Sequence, residues 1–426
     1  MSIYSIIYIF IAAVLLIYTL KNRLDLLCVS AVCFVVYSMY CLYGYGKSGF
    51  YRPSLSPMLY YCVYVQMFII LLFSVVVNYI NRKRRSEVHL ELAAEPKPVK
   101  TTNKYLDWSF YAYTAVICLF ALVNIASVGI SGFAAGKANV WNNTNVLYIV
   151  SLYGAYPSFA YGIHNGKKLM WIPSLLIEMT IFFAGSRAFV TTMAVIFLCE
   201  KGTEFWNKYK GNIKMYALGG AGIVFLLVYR AVDESIMKGD MGAVVATLSN
   251  PTTWTKALEF NEPRVIIANY DYVLTQHFKL PLGDIIYRLI DFVPGTTSIF
   301  PIRLKYPEYF STWLEQEVHG SAGVGGTIWG ESYAMFGVFG ILLFTCIWLF
   351  FIKTCSKHLD YHKPYSYFLV SVGAYLAWYI NRLDFNRVAQ SLKVTLLCFL
   401  IWAALYLIFS GSIKIGKKTE VHLWPK

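Results

Sequence analysis

Five arginines stand at loop positions that should face one side of a membrane. They are Arg187, which ends the turn sequence Gly185-Ser186-Arg187, together with Arg230, Arg264, Arg288 and Arg382. A guanidinium group pairs bidentately with phosphate oxygens, so a cluster of them beside a membrane suits a pyrophosphate that a lipid carries. Any one of them could instead be structural, with its aliphatic stem along apolar surface. Taken together, they are our candidate pyrophosphate-binding residues.

A proton acceptor should accompany such a site. His319 and Glu331 lie at the two ends of a glycine-rich stretch, where a long loop meets an apolar segment. Either side chain can take a proton from a hydroxyl group, so both are candidate catalytic residues, although a histidine without a role is equally expected. The glycines are not followed by the Lys-Ser/Thr pair of a phosphate-cradling loop, which excludes a P-loop. The acidic alternatives for the base are Asp284, Asp291, Glu315 and Glu317.

Other side chains give weaker indications of chemistry. The candidate sugar-binding residues are the rings of Tyr270, Tyr287, Trp313 and Trp329, although interfacial anchoring alone also favours tyrosine and tryptophan at such places. None of the nine cysteines lies within 231–332 and no CxxC occurs, so we expect neither a metal site nor a disulfide framework. We also expect no cofactor. Glu178 is an expensive charge within an apolar segment and a functional candidate without an assigned role. Asp284 and Arg288 are four residues apart, which predicts an ion pair on one helix face.

The composition predicts the elements that must position these residues. Of the 426 residues, 58% are hydrophobic and 14% are charged, whereas soluble domains carry about 25% charged residues. Apolar stretches of roughly 20 residues, the length that crosses a hydrocarbon core, recur along the chain. Since lipid offers no partners for backbone groups, such stretches must be helical. We therefore predict an all-α polytopic membrane protein and attribute the net charge of +14 to topology rather than to nucleic-acid binding.

About eleven transmembrane helices are expected from the spacing of the apolar stretches. They lie near residues 3–20, 25–44, 57–80, 107–128, 146–163, 169–185, 188–203, 215–231, 333–352, 364–381 and 393–410. One set of loops holds 22 of the 37 lysines and arginines, and the positive-inside rule assigns that set to the cytoplasm. The N-terminus is then periplasmic and the C-terminus cytoplasmic.

The predicted chain has four parts: helices 1–8 in 1–230 with a cytoplasmic linker at 81–104, a large loop at 231–332, helices 9–11 in 333–410, and a tail at 411–426. The loop holds 12 of the 23 acidic residues. It is too long to be idle and too apolar to be disordered. We expect short amphipathic helices there, on or in the outer leaflet. They should start at Asn261-Glu262-Pro263, cover 283–293, and start again at the capping box from Thr312 to Glu315.

Three motifs carry a resemblance to a known family. They are Phe182-Phe183-Ala184-Gly185-Ser186-Arg187, the stretch from Gly325 to Tyr333 with Phe336-Gly337, and Asn381-Arg382-Leu383-Asp384. Together with the architecture of most of the chain, they resemble the Wzy family of O-antigen polymerases, also described as oligosaccharide repeat-unit polymerases. The motifs are short, so the resemblance depends on their combination.

The resemblance implies a metal-independent glycosyltransferase with a GT-C-like fold in the bacterial inner membrane. Such an enzyme works at the periplasmic face, in lipopolysaccharide biosynthesis. It joins repeat units carried on undecaprenyl pyrophosphate, which serve as donor and acceptor, and undecaprenyl pyrophosphate leaves. The family's loop arginines correspond first to Arg187, Arg264 and Arg288, and Arg230 and Arg382 are the second choices. His319 resembles the loop histidine of O-antigen ligases in its position, and membrane lipids and a chain-length regulator are the further partners implied.

Three alternatives stay open. An O-antigen ligase would share the donor but use a different acceptor. A lipid-linked oligosaccharide flippase or other transporter would place its binding site near mid-membrane, often at internal repeats. No repeat is visible between the halves of this chain, and Glu178 is the one strong feature in favour of transport. A non-catalytic membrane scaffold would leave the arginines without a purpose.

Overall fold

The computed structural model describes most of the chain, and its regular structure there is entirely helical. The described residues are 2–22, 25–42, 54–91, 104–134, 137–209, 232, 235–236, 239–252, 262–300, 302–317, 325–361 and 363–411. No strand occurs within these ranges. The prediction of an all-α protein is therefore confirmed for them.

The helices are numbered here in chain order. They are α1 (Ile3–Asn22), α2 (Leu26–Ser38), α3 (Pro57–Glu91), α4 (Lys104–Ala134), α5 (Lys137–Asn143), α6 (Val146–Asn165), α7 (Lys168–Phe183), α8 (Ala188–Tyr209), α9 (Met241–Ser249), α10 (Glu262–Thr275), α11 (Leu282–Ile290), α12 (Thr296–Ile299), α13 (Phe310–Glu317), α14 (Ile328–Tyr361), α15 (Ser366–Tyr379) and α16 (Phe385–Phe409). Short 3-10 turns at Met39–Cys41 and Ile380–Arg382 extend α2 and α15.

Six of these helices are long and apolar enough to cross a membrane. The qualifying segments are Ile3–Lys21, Pro57–Asn81, Lys104–Gly129, Val146–Asn165, Ile328–Leu359 and Phe385–Phe409. They expose large apolar side chains such as Phe10, Phe68 and Leu119, as lipid-facing surfaces do. This confirms a helical, membrane-embedded protein. Helices α2, α7, α8 and α15, which are shorter or less apolar, occupy four more of the predicted segments. The segment 215–231 lies outside the described residues, so the count of eleven spans stays a prediction.

The two ends of the bundle collect different side chains. At one end, which we call the lysine end, Lys167 pairs with Asp107 at 3.1 Å and the Tyr161 hydroxyl donates to the same carboxylate at 2.7 Å. At the opposite end, which we call the arginine end, Arg382 pairs with Glu262. Loops that the lysine and arginine count assigned to one side of the membrane therefore meet at one end, as alternating spans require.

The long loop packs into the bundle more deeply than the sequence predicts. Helix α10 lies against α2, α3 and α14, and nine of its residues are buried. Its Asp271 accepts hydrogen bonds from the backbone N–H of Ser56, at 3.2 Å, and from the Ser56 hydroxyl, at the start of α3. This helix is therefore packed inside the protein, with partners for its polar residues there, and its depth in the outer leaflet stays a prediction.

Two other helices of the long loop, α11 and α13, are linked to α16, the last span. Helix α11 occupies most of the predicted 283–293 segment, and just beyond it Asp291 binds Lys393 of α16 through Oδ1 and Nζ at 2.7 Å. Helix α13 begins at Phe310, so the predicted capping box at Thr312 was wrong because that residue lies inside the helix. The Ser311 hydroxyl of α13 donates to Asp384 at 2.9 Å, which fixes α13 against the start of α16.

Helix α14 is kinked near its beginning. Phe336 has φ −138° and ψ 16°, and Gly337 has φ 65° and ψ −151°, a backbone conformation that side chains strongly disfavour. The kink divides a short limb, residues 328–335, from the long apolar part. The short limb carries Trp329 and Glu331, so the kink sets where these residues lie.

We expect Gly337→Ala to destabilise the protein by about 1–3 kcal/mol, the cost of holding a residue with a Cβ in such a conformation. No atom lies within 4 Å of the position of a Cβ there. The substitution therefore measures backbone strain without a contribution from steric clashes. Thermal unfolding of the detergent-solubilised protein tests this, with Gly283→Ala as the control, since Gly283 has an ordinary backbone conformation and room for a methyl group. Equal unfolding temperatures for the two variants would contradict it.

Candidate functional site

Two of the sequence motifs, some 50 residues apart, contact each other at the arginine end. The Trp329 indole Nε1 donates to Asn381 Oδ1 at 2.9 Å. The Phe385 backbone N–H donates to Glu331 Oε2 at 2.8 Å. A Cβ on Gly325 would lie 3.0 Å from Arg382 Cγ. The glycines of the first motif therefore let its backbone pass close to the arginine of the second.

Arg382 is the centre of the charged groups at this end. Its Nη1 lies 2.5 Å from Glu262 Oε2, and its guanidinium lies over the Tyr379 ring, 5.6 Å from the centroid. The Tyr37 hydroxyl donates to Glu262 Oε1 at 2.9 Å. Burial alone would raise the pKa of the Glu262 carboxyl, but Arg382 and the hydrogen bonds to the carboxylate hold that pKa below its ordinary value. Both partners are thus charged before any ligand binds.

Arg187 reaches the same region from a tight turn between α7 and α8. Gly185 has φ 95°, and the N–H of Ser186 donates to the Ile181 carbonyl at 3.0 Å, which closes the end of α7. The Arg187 carbonyl accepts from the Thr191 N–H at 3.1 Å, which starts α8. The charge of Arg187 acts on both Glu262 and Tyr379. The Gly-Ser-Arg motif is therefore a turn that delivers an arginine to the arginine end.

A sixth arginine of the same face, Arg387, follows Arg382 in the sequence and joins the group. Arg387, in the first turn of α16, is exposed and lies over the Tyr309 ring, 5.6 Å from the centroid. Its charge also acts on Tyr379. We define the arginine cluster as Arg187, Glu262, Tyr379, Arg382 and Arg387. Its guanidinium groups outnumber its carboxylates, so the cluster favours an anion.

The other two predicted pyrophosphate ligands within the described residues are buried. Arg264 lies on α10, two residues after Glu262, with a relative exposure of 6%. Arg288 is fully buried, and its Nε lies 2.5 Å from Glu331 Oε1. Other Arg288 donors bind the carbonyls of Asp284 at 3.2 Å and Pro307 at 3.0 Å. The surroundings of Arg288 argue for a positioning role, because protein acceptors occupy its guanidinium.

Glu331 is also buried, and protein groups also occupy its side chain. Its side chain has no exposure, one oxygen accepts from Arg288 and the other from the Phe385 N–H. The predicted pair of Asp284 with Arg288 is the weaker one, since their closest side-chain atoms are 4.0 Å apart. The Asp284 carboxylate instead accepts from the backbone N–H groups of Lys305 and Tyr306, each at 3.0 Å. Arg288 and Glu331 thus join α11, the short limb of α14 and the start of α16.

Three of the four candidate sugar-binding rings lie in the core. Tyr270 is 2% exposed, and its hydroxyl bonds Gln66 at 3.2 Å. Trp313 stacks on Phe278 with 3.8 Å between the ring centroids. Trp329 is 3% exposed. Burial argues against sugar contacts at these three rings, whereas Tyr287 is half-buried and stays a candidate.

Two predicted site residues, His319 and Arg230, lie outside the described residues, and their assignments stay predictions. Within the described ranges, no group of three or more His, Cys, Asp or Glu side chains could hold a metal ion. Sequence reasoning missed Glu262 as a site residue, since we took it only as a helix start. The contact between Tyr379 and Arg382 could have been predicted, because residues three apart lie on one helix face.

Comparisons of the chain with protein-family models, curated proteins and solved structures found no match. The resemblance to the Wzy family therefore depends on the motifs and on the expected architecture of the chain. What the structure adds is that all three motifs belong to the arginine end, where two of them are in direct contact.

Breaking the buried ion pair on one side should be costly. Arg288→Met leaves the Glu331 charge buried without its partner, and we expect a loss of about 3–5 kcal/mol in the free energy of unfolding. Adding Glu331→Gln removes that charge and keeps an acceptor for the Phe385 N–H, so the double variant should regain part of the loss. Thermal unfolding in detergent measures this. A double variant no more stable than Arg288→Met would contradict the pairing.

Acid should weaken the Glu262–Arg382 pair. Because the folded-state pKa of Glu262 is lowered, the pair stabilises the fold above the ordinary glutamate pKa of about 4.3, and this stability is lost as pH falls through the folded value. The unfolding temperature of the wild type should therefore fall more steeply below that pH than that of Glu262→Gln. Glu317→Gln, at an exposed site on α13, is the control and should keep the wild-type slope. Parallel curves for wild type and Glu262→Gln would refute the effect.

Proposed function

We propose that this protein is a glycosyltransferase that polymerises oligosaccharide repeat units carried on undecaprenyl pyrophosphate. The observation that supports this most is the arginine cluster, with Arg382 held by Glu262 and stacked on Tyr379. Guanidinium groups bind phosphate oxygens in fixed geometry. Their position at one end of an apolar helical bundle suits a headgroup whose lipid tail lies in the membrane.

The proposed reaction needs no metal. A hydroxyl at the non-reducing end of one repeat unit attacks the anomeric carbon of the sugar attached to the other lipid. The bond from that carbon to the pyrophosphate oxygen breaks, and the departing pyrophosphate gains negative charge. Fixed guanidinium groups stabilise a charge that develops in the transition state, which is the role we assign to Arg187 and Arg382.

The hydroxyl proton must pass to a base. Both oxygens of Glu331 already accept hydrogen bonds, from Arg288 and from the Phe385 N–H. Glu262 is a weak base because its pKa is lowered. These two observations favour His319 as the base and give Glu331 a positioning role.

The proposal includes a GT-C-like fold of eleven spans in the bacterial inner membrane, with the arginine end at the periplasmic face. The meeting of lysine-bearing loops at the opposite end supports this orientation, since the positive-inside rule assigns such loops to the cytoplasm. Asp107, Tyr161 and Lys167 are the contacts that define that end.

Purified protein in liposomes, a synthetic polyprenyl-pyrophosphate-linked repeat unit and EDTA provide the test, with product length read on a gel. We expect a ladder of longer lipid-linked glycans from the wild type. Arg187→Ala and Arg382→Ala should each slow its formation by about 10²–10³-fold, the cost of removing one transition-state donor. Arg303→Ala is the matched control, since Arg303 lies exposed in the 231–332 loop and outside the arginine cluster, and its loss should leave the rate unchanged.

The outcomes separate the remaining functions. No ladder from folded protein with several repeat units would sink the polymerase proposal. A single transfer to a lipid A-core acceptor would indicate a ligase, and translocation of the intact donor without transfer would indicate a flippase. Equal slowing in Arg303→Ala would show that the arginine effects are not specific to the cluster.

A further inference from the structure

Glu178 is a buried carboxyl group that the proposed reaction does not use. It lies on α7, five residues before the end of the helix, so it sits about 7.5 Å along the helix axis from the turn that carries Arg187. Its exposure is zero, and neither carboxyl oxygen has a hydrogen-bond partner among the described residues. The sequence left Glu178 without an assigned role, and the helix bounds now place it within two turns of the arginine end.

An isolated carboxylate is very costly in such a place. Burial of an ionised carboxyl group without a paired charge is avoided by neutralisation of the group. No charged side chain among the described residues acts on Glu178, so a bound proton is the simplest neutralising partner. An ionisable residue within a membrane bundle marks a functional site by default, because an apolar residue would fill the space at lower cost.

A row of four tyrosines extends from Glu178 to the arginine cluster. Tyr156 is 1% exposed, and Glu178 is the strongest charge that acts on it. Successive ring centroids lie 6.1 Å apart from Tyr156 to Tyr153, 5.4 Å from Tyr153 to Tyr375, and 5.5 Å from Tyr375 to Tyr379. Tyr379 then contacts the guanidinium of Arg382.

The row follows from helix spacing on two neighbouring helices. Tyr153 and Tyr156 are three residues apart on α6, and Tyr375 and Tyr379 are four apart on α15, so each pair lies on one helix face. Helices α6 and α15 pack against each other, which brings the two faces together. The tyrosine row is therefore a continuous set of hydroxyl-bearing rings inside the bundle.

We propose that Glu178 is a proton-binding site and that the tyrosine row conducts protons between it and the arginine cluster. A proton from water at the arginine end binds one Glu178 oxygen and forms an O–H bond, and the same bond breaks on release, so no other reactant is needed. Hydroxyl groups both donate and accept hydrogen bonds, as a relay requires. Proton binding here is independent of the proposed glycosyl transfer.

The groups that face the site are few. From α6, the tyrosines within electrostatic reach of Glu178 are Tyr148, Tyr153 and Tyr156. Tyr148 is set apart because its hydroxyl bonds Thr180 at 2.6 Å. At the far end of the row the charges that act on Tyr379 are those of the arginine cluster. Among the described residues of α4 and α8, which also pack against α7, no ionisable side chain acts on Glu178.

Infrared difference spectroscopy of the full chain in nanodiscs tests the site. At neutral pH we expect a carbonyl band of a protonated carboxylic acid that Glu178→Gln removes and Glu178→Asp shifts. The band should shift on transfer to deuterated water, as the carboxyl proton exchanges. In Tyr375→Phe and Tyr379→Phe this exchange should be slower by about tenfold, because the path loses a hydroxyl group that both donates and accepts hydrogen bonds.

Tyr113→Phe is the matched control. Tyr113 is equally buried, on α4, but it is not in the row, so the loss of its hydroxyl should leave the exchange rate unchanged. A spectrum in which Glu178→Gln and Glu178→Asp change no protonated-carboxyl band would overturn the site. A band that exchanges at the wild-type rate in both row variants would overturn the path. If either Glu178 variant fails to fold, the exchange of the wild-type band against the tyrosine variants decides the question.

Discussion

The Arg288–Glu331 ion pair is the interaction on which the arrangement of the arginine end depends. It is fully buried, and each partner also binds backbone groups from other parts of the chain. At the low dielectric of such a site, a satisfied network fixes one arrangement strongly and a broken one is costly. Because Glu331 also accepts from the start of α16, the pair sets the position of the link that carries Arg382. The arginine cluster is thus positioned by a buried ion pair whose two residues are not members of the cluster.

The arginine cluster is assembled from three chain segments, each shaped by a local backbone feature. Arg187 comes from a turn that needs a glycine at 185, Glu262 from the first residue of α10, and Arg382 from the 3-10 turn before α16. These segments are far apart in sequence, so their meeting depends on the packing of the whole bundle. A loss of packing at a distance should therefore affect anion binding as much as a change in the cluster itself.

Much of the fold could be predicted because the membrane allows few solutions. Apolar length fixes helices, and lysine distribution fixes which ends meet, both of which are local properties of the sequence. The partner of Arg288 could not be predicted in this way, since spacing pointed to Asp284 four residues away while the closer carboxylate is 43 residues away. The burial of Tyr270, Trp313 and Trp329 could not be predicted for a similar reason. Tyrosine and tryptophan are equally suited to packing in a core, to anchoring at a membrane interface and to stacking on a sugar. Glu262 was missed because its role arises only from contact with Arg382 and Tyr37.

The Asp291–Lys393 pair has a consequence for the surrounding lipid. Lys393 lies well inside α16, so of the 25 residues of that helix only the last 16 form an uninterrupted apolar stretch. At 1.5 Å per residue this stretch is about 24 Å long, shorter than the roughly 30 Å of a typical hydrocarbon core. A mismatch of this sign is accommodated by local thinning of the bilayer or by snorkelling of flanking side chains, and the Asp291–Lys393 pair places such a side chain in the part of α16 nearer the arginine cluster.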